Sequence, residues 1–128
     1  MNKASLFLLP LLCLFSLPIF SQLNTNSCEI LRKGTFMYTY NKKKVKVVID
    51  KDRHTEYHEN GKYVIHSKLF WVNDCEYVTT CLKTNFPNPA YGKDDQMLVQ
   101  VTRIDENTIY FTTTINRLEW KGKMIKVE

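Results

Sequence analysis

The fold of this chain is decided by one stretch, Leu69-Phe70-Trp71-Val72-Asn73-Asp74-Cys75-Glu76-Tyr77-Val78-Thr79-Thr80-Cys81-Leu82. It contains two runs of β-branched and aromatic residues, which are typical of strands, joined by a polar corner at Asn73-Asp74. Asx side chains favour such corners because they bond to the backbone two residues on, and we expect Asp74 to do so here. The stretch therefore predicts a β-hairpin, with Trp71 as a core residue beside the corner.

Runs of the same kind recur along the rest of the chain. Alternation of apolar and polar residues predicts strands at 35–40, 45–50, 53–58, 63–72, 76–82, 97–104, 108–115 and 118–127. Turn residues such as Asn60-Gly61 separate them, and Gly122 predicts a kink or bulge in the last strand. About eight strands with short connections predict an all-β antiparallel meander, which closes into a small lipocalin-like barrel or half-open barrel because closure removes unpaired edges. A two-sheet sandwich is the alternative.

One connection, residues 83–96, is long and rich in residues that break regular structure. Loops of this length often carry function. If any connection contacts a ligand or partner, we expect it to be this one.

The first 21 residues have the layout of a secretory signal peptide: a basic start, an apolar run at 6–20 and a small residue, Ser21. The apolar run is short for a spanning helix and contains two prolines, so we predict no transmembrane span. The chain therefore divides into a signal peptide at 1–21, an N-terminal segment at 22–33 and a single β-domain at 34–128. For an exported protein with a formal net charge of +5, we expect no nucleic-acid partner.

Export to an oxidising compartment favours a disulfide among Cys28, Cys75 and Cys81. Cys75 and Cys81 lie in one predicted strand, which places their Cα atoms roughly 20 Å apart, too far for a disulfide. Cys28 therefore pairs with Cys75 or with Cys81, or all three cysteines are reduced. We favour Cys28–Cys75, because Cys75 lies beside a turn that the N-terminal segment can reach, and Cys81 then becomes a small buried hydrophobe.

Several segments together resemble a family of small exported proteins of Gram-negative bacteria. They are Lys33-Gly34-Thr35-Phe36-Met37-Tyr38 after a leading cysteine, Arg53 and Glu56 before a glycine turn, the core Trp71-x-x-Asp-Cys75-Glu-Tyr77, and the closing Gly122-Lys-Met-Ile-Lys. The match covers most of residues 28–127, and the tryptophan–cysteine core is its most specific part. The resemblance implies an exported β-rich domain in the periplasm or at the cell surface, and the family has no established activity that it could assign to this chain. Some members are labelled DNA topoisomerase IV, which this chain is too short to be and for which it lacks a Gly-rich phosphate loop.

His54, Glu56 and His58 share one face of a predicted strand. Imidazole and carboxylate groups can bind zinc, but the two histidines would lie about 13 Å apart on an extended strand. We therefore interpret this face as solvated and predict no metal site. The sequence also contains no Gly-x-Ser-x-Gly turn and no local Cys–His signature, so it predicts no catalytic residue and no cofactor.

Aromatic residues fall on strand faces that can point into the barrel: Phe36, Tyr38, Tyr40, Trp71, Tyr77, Phe111 and Trp120. A small domain needs them for its core, and an eight-stranded barrel has room for packed side chains or for one small ligand. As ligand-binding candidates we select Tyr38, Tyr40, Trp71 and Tyr77.

The sequence favours a non-enzymatic exported domain with a binding or structural role in the cell envelope, whose partner is a small apolar ligand or an envelope protein. A lipocalin-like carrier of a small apolar molecule is the alternative. A metal-dependent or hydrolytic enzyme ranks last.

Overall fold

The computed structural model describes residues 28–87 and 91–128. In these ranges the chain forms two short 3-10 helices, Cys28–Leu31 and Glu59–Gly61, and eight strands: β1 Lys33–Tyr40, β2 Lys43–Asp50, β3 Arg53–His58, β4 Tyr63–Asn73, β5 Glu76–Thr84, β6 Gln96–Asp105, β7 Thr108–Ile115 and β8 Leu118–Lys126. The predicted signal peptide lies outside the described residues. Each predicted strand is present, with ends that differ from the prediction by at most two residues.

The strands form a closed antiparallel barrel. Each strand pairs with the next along the chain, and β8 returns to pair with β1. The prediction of an all-β meander closing into a small barrel is confirmed, and the two-sheet sandwich is wrong. The apolar residues of the alternating pattern face the barrel interior. In β2, for example, Val45, Val47 and Ile49 are buried, whereas Lys46 and Asp50 are exposed.

The N-terminal 3-10 helix closes one end of the barrel. Cys28 and Leu31 of this helix are buried in the same core cluster as Phe36. A disulfide joins Cys28 to Cys75 at the β4–β5 corner, as the sequence predicts. Among the described cysteines, Cys81 is free and is buried in the interior. The disulfide therefore ties the helix that closes the barrel to the hairpin whose sequence most strongly predicts the fold.

At the β4–β5 corner one expectation is wrong and a second is met only in part, since Trp71 packs against the core without being buried in it. Asn73, and not Asp74, bonds to the backbone, because its Oδ1 accepts a hydrogen bond from the Cys75 N–H at 2.9 Å. Trp71 is only half-buried, since it lies at the barrel end beside a register shift, with the Arg32 guanidinium 3.8 Å from the centre of its ring. The deep core position belongs to Tyr77, which is 2% exposed and packs edge-on against Trp71 at 5.0 Å.

Gly122 forms no bulge. It pairs with Phe111 of β7 in regular register, and the irregularities lie in the β4–β5 and β6–β7 ladders. A Cβ atom at position 122 would lie 2.9 Å from Cζ of Phe111. The glycine is needed for space, because the Phe111 ring lies directly over its backbone.

Gly122→Ala should lower the free energy of unfolding by about 1–3 kcal/mol, because the Phe111 ring must move to accept the new methyl group. Urea denaturation measures the loss. In the background of Phe111→Leu, which removes the outer ring atoms, the same alanine should cost much less. Equal losses in both backgrounds would show that the ring is not what confines this position.

Candidate functional site

The barrel contains a cavity of about 370 Å³ at the end opposite the disulfide. All eight strands contribute to its wall, which is mostly apolar. Of the four ligand-binding candidates, Tyr38, Tyr40 and Tyr77 line the cavity. Trp71 lies at the closed end, outside the wall. The volume falls in the range of small-molecule pockets, about 300–1,000 Å³.

Strand β3 places His54, Glu56 and His58 in the cavity wall. The expectation of a solvated face is wrong, because His54 is 3% exposed and His58 is 7% exposed. These three side chains form the polar part of a wall that is otherwise largely apolar, and we call them, together with the Tyr38 hydroxyl, the polar cluster.

The inward direction of β3 follows from its register with β2. Glu56 lies opposite Val47, and His54 lies opposite Ile49. Residues directly opposite each other share one face of a sheet, and both β2 residues point into the barrel. The inward orientation of β3 could have been predicted from the two-residue turn after Asp50, because this turn fixes the pairing of β2 with β3. The polar composition of β3 instead suggested an exposed strand.

The Glu56 carboxylate is held through one of its oxygens. The Tyr38 hydroxyl donates to Oε2 at 3.3 Å, and His58 Nε2 lies 3.0 Å from the same atom. The second oxygen, Oε1, makes no hydrogen bond within residues 28–87 and 91–128. Every fully buried side-chain nitrogen or oxygen in these ranges has a partner, so Oε1 must be an atom that the cavity reaches. The Glu56 side chain is 13% exposed, which agrees with this position.

The charge states of the polar cluster follow from its surroundings. Burial raises the pKa of Glu56, but the hydrogen bond from His58, the nearby imidazoles and the Tyr38 hydroxyl outweigh it and hold the pKa below its usual value. Burial lowers the pKa of His54, against the opposing effect of the Glu56 charge. Burial and the Glu56 charge together raise the pKa of Tyr38. At neutral pH the Glu56 carboxylate is therefore ionised, the His54 imidazole is neutral and the Tyr38 phenol is protonated.

The polar cluster does not have the geometry of a metal site. The described ranges contain no group of three or more His, Cys, Asp or Glu side chains that could hold a metal ion. His54 and His58 are separated along an extended strand, so their rings cannot converge on one point. The cluster is better suited to hydrogen-bonding a ligand than to ligating a metal.

The loop between β5 and β6 covers the mouth of the cavity. The Phe86 ring packs edge-on against His58, with ring centroids 4.9 Å apart. Tyr91 is buried and its hydroxyl lies 2.9 Å from Thr79 Oγ1, inside the barrel. Both aromatic side chains line the cavity. The sequence identified the loop but not these residues, because a segment without periodicity assigns no side chain to a face.

The β1–β8 ladder, which closes the barrel, is short. In the described ranges these strands share two paired positions, at Phe36 and Met37 of β1, which backbone hydrogen bonds of Thr35 extend. Beyond them, residues 38–40 and 120–123 border the cavity without pairing to each other. We call this unpaired part of the β1–β8 boundary the β1–β8 gap.

Stability should fall as the pH drops from 7.5 to 5.5, in part because of His54. Its pKa in the folded protein lies below the ordinary value of 6.5, so the unfolded chain takes up the proton more readily. The loss is at most about 1.4 kcal/mol per pH unit for one proton. Urea denaturation at three pH values measures the slope, which should be shallower in His54→Gln. An unchanged slope in the variant would contradict this assignment.

No family model, no curated protein and no solved structure matches this chain. No helix among the described residues is long and apolar enough to cross a membrane. The feature of the described chain that bears most directly on function is therefore the cavity: a largely apolar space, with one ionised carboxylate in its wall.

Proposed function

We propose that this protein is an exported, non-enzymatic binding domain of the cell envelope, which carries a small, largely apolar molecule inside its barrel. The layout of residues 1–21 and the Cys28–Cys75 disulfide support export, because disulfides persist in oxidising compartments. Lipocalin-like barrels of this strand number can hold one small ligand.

The observation that carries this proposal is the cavity of about 370 Å³. Protein interiors are normally packed as closely as organic crystals, and a purely structural barrel gains stability by filling its interior. Here the closed end is filled by Leu31, Phe36 and Ile49, whereas the other end is hollow. A hollow lined by aromatic and aliphatic side chains favours binding over a purely structural role.

Binding can be tested with N-phenyl-1-naphthylamine, a neutral dye that fluoresces strongly when it enters an apolar site. Wild-type protein should bind the dye saturably, with one site per chain. Val99→Phe, which fills the cavity from β6, should weaken binding at least tenfold. Its control is Leu98→Phe, because Leu98 is the neighbouring residue on the opposite face of the same strand and does not line the cavity.

The outcome against the proposal is equally specific. Wild-type protein that does not bind the dye, or binding that Val99→Phe and Leu98→Phe affect equally, would place the site outside the cavity or remove it. Circular dichroism of both variants confirms that they are folded before the comparison is made.

A further inference from the structure

We infer that the molecule bound in the cavity carries a protonated amine on an apolar body, and that Glu56 is the counter-ion of this amine. The inference rests on the proposed binding function and names the chemistry of the ligand. Its basis is the position of Glu56 Oε1, which the cavity reaches and which no described residue hydrogen-bonds.

A buried carboxylate gains further stability when both of its oxygens accept hydrogen bonds, and in Glu56 only Oε2 does so among the described residues. Tyr38 and His58 both serve Oε2. The cavity space in front of Oε1 is thus where a ligand can supply a donor. A charged N–H donor makes a shorter and stronger bond to a carboxylate than a neutral donor does.

The groups that face Glu56 do not supply this donor. His54, on the same strand, makes no hydrogen bond to Glu56 and is kept neutral by burial, which lowers its pKa. His58 bonds to Oε2 and not to Oε1. Tyr77 and Tyr91, on β5 and on the covering loop, line the cavity but make no hydrogen bond to Glu56. The Glu56 site therefore keeps room for a cationic group from outside.

The lysines near the cavity also leave the site open to a cation. Lys121 and Lys123 of β8 border the β1–β8 gap. Met124, on the same strand, is buried in the barrel, and residues that alternate with it point outward. Both lysine side chains are exposed, so the strand brings their backbone to the cavity and carries their ammonium groups into solvent.

The rest of the wall suits the apolar body of such a ligand. The rings of Tyr38, Tyr40, Phe86 and Trp120 line the cavity. Aromatic faces attract organic cations as well as apolar groups. A ligand with an aromatic or aliphatic body and a terminal ammonium would meet favourable surface along its length.

Three probes with the same ring system test the inference: 2-(1-naphthyl)ethylamine, 2-(1-naphthyl)ethanol and 1-naphthaleneacetate. They are cationic, neutral and anionic at pH 7.5, and each is titrated into wild-type protein loaded with N-phenyl-1-naphthylamine. The amine should displace the dye at a concentration at least tenfold lower than the alcohol. The acetate should be weaker than the alcohol. Glu56→Gln keeps the side-chain shape and should reduce the advantage of the amine over the alcohol to less than twofold, both measured against the variant's own dye affinity.

The outcomes separate the two proposals. If wild-type protein does not bind the dye, the binding function fails. If it binds the dye but takes up amine and alcohol equally, or prefers the acetate, the binding function stands and the cationic ligand is excluded. The wild-type comparison decides this even if Glu56→Gln does not fold. If Glu56→Gln folds and keeps the full amine preference, Glu56 is not the counter-ion.

Discussion

Replacing both Cys28 and Cys75 with serine should lower the free energy of unfolding by about 4 kcal/mol, as expected for a bond that closes a loop of this length. The two cysteines are separated by 47 residues in sequence, so the bond removes much conformational freedom from the unfolded chain. It also holds the N-terminal 3-10 helix, whose Leu31 is fully buried, against the closed end of the barrel. Guanidinium denaturation of the double variant measures the loss.

Reduction of the wild-type protein provides the control. In the presence of dithiothreitol, the wild type should unfold at nearly the same denaturant concentration as Cys28→Ser/Cys75→Ser, and the variant should not respond to the reductant. If the variant stays within about 1 kcal/mol of the oxidised wild type, the disulfide contributes far less than chain entropy predicts.

Tyr77→Ala should lower the free energy of unfolding by about 4 kcal/mol, as large-to-small substitutions of buried aromatic residues do. The ring is 2% exposed, packs against Trp71 and lies 6.0 Å from the His54 ring. Its removal leaves an empty space at the junction of the packed and hollow halves of the barrel. Thermal or urea denaturation measures the effect.

Two matched variants interpret that result. Tyr77→Phe keeps the ring and should remain within about 1 kcal/mol of the wild type, since only the hydroxyl is lost. Trp71→Ala should cost less than Tyr77→Ala, about 2 kcal/mol, because its indole is only half-buried. If Trp71→Ala lowered the free energy of unfolding more than Tyr77→Ala does, Trp71 and not Tyr77 would be the more important core residue.

The barrel was predictable because strand alternation and short turns are local signals. Asn60-Gly61 and Asn73-Asp74 mark turns in the sequence, and the pairing of neighbouring strands follows from short connections. The position of Trp71 was not predictable in the same way. Whether a residue at the end of a strand is covered depends on the N-terminal 3-10 helix and on a register shift, and neither can be read from the residues around it.

The sequence likewise predicts one part of the candidate site and misses another. Strand alternation and aromatic character place Tyr38, Tyr40 and Tyr77 in the barrel interior, and all three lie in the cavity wall. The same reasoning groups His54, Glu56 and His58 on one strand but predicts that they face solvent, because charged residues generally prefer water. The burial of these three residues is stabilised by contacts between strands, such as the hydrogen bond from Tyr38 of β1 to Glu56, which requires that β1, β2 and β3 lie side by side.

For the ligand proposed above, the short ladder between β1 and β8 would be the part of the wall that opens most easily. Opening the wall there breaks the few backbone hydrogen bonds near Phe36 and Met37, whereas opening it between β4 and β5 would break a ladder along most of two long strands. Local openings of this kind need much less free energy than unfolding of the whole domain. The residence time of such a ligand would therefore depend on local opening of the β1–β8 ladder. Substitutions in this ladder would change the residence time without changing the contacts that give affinity.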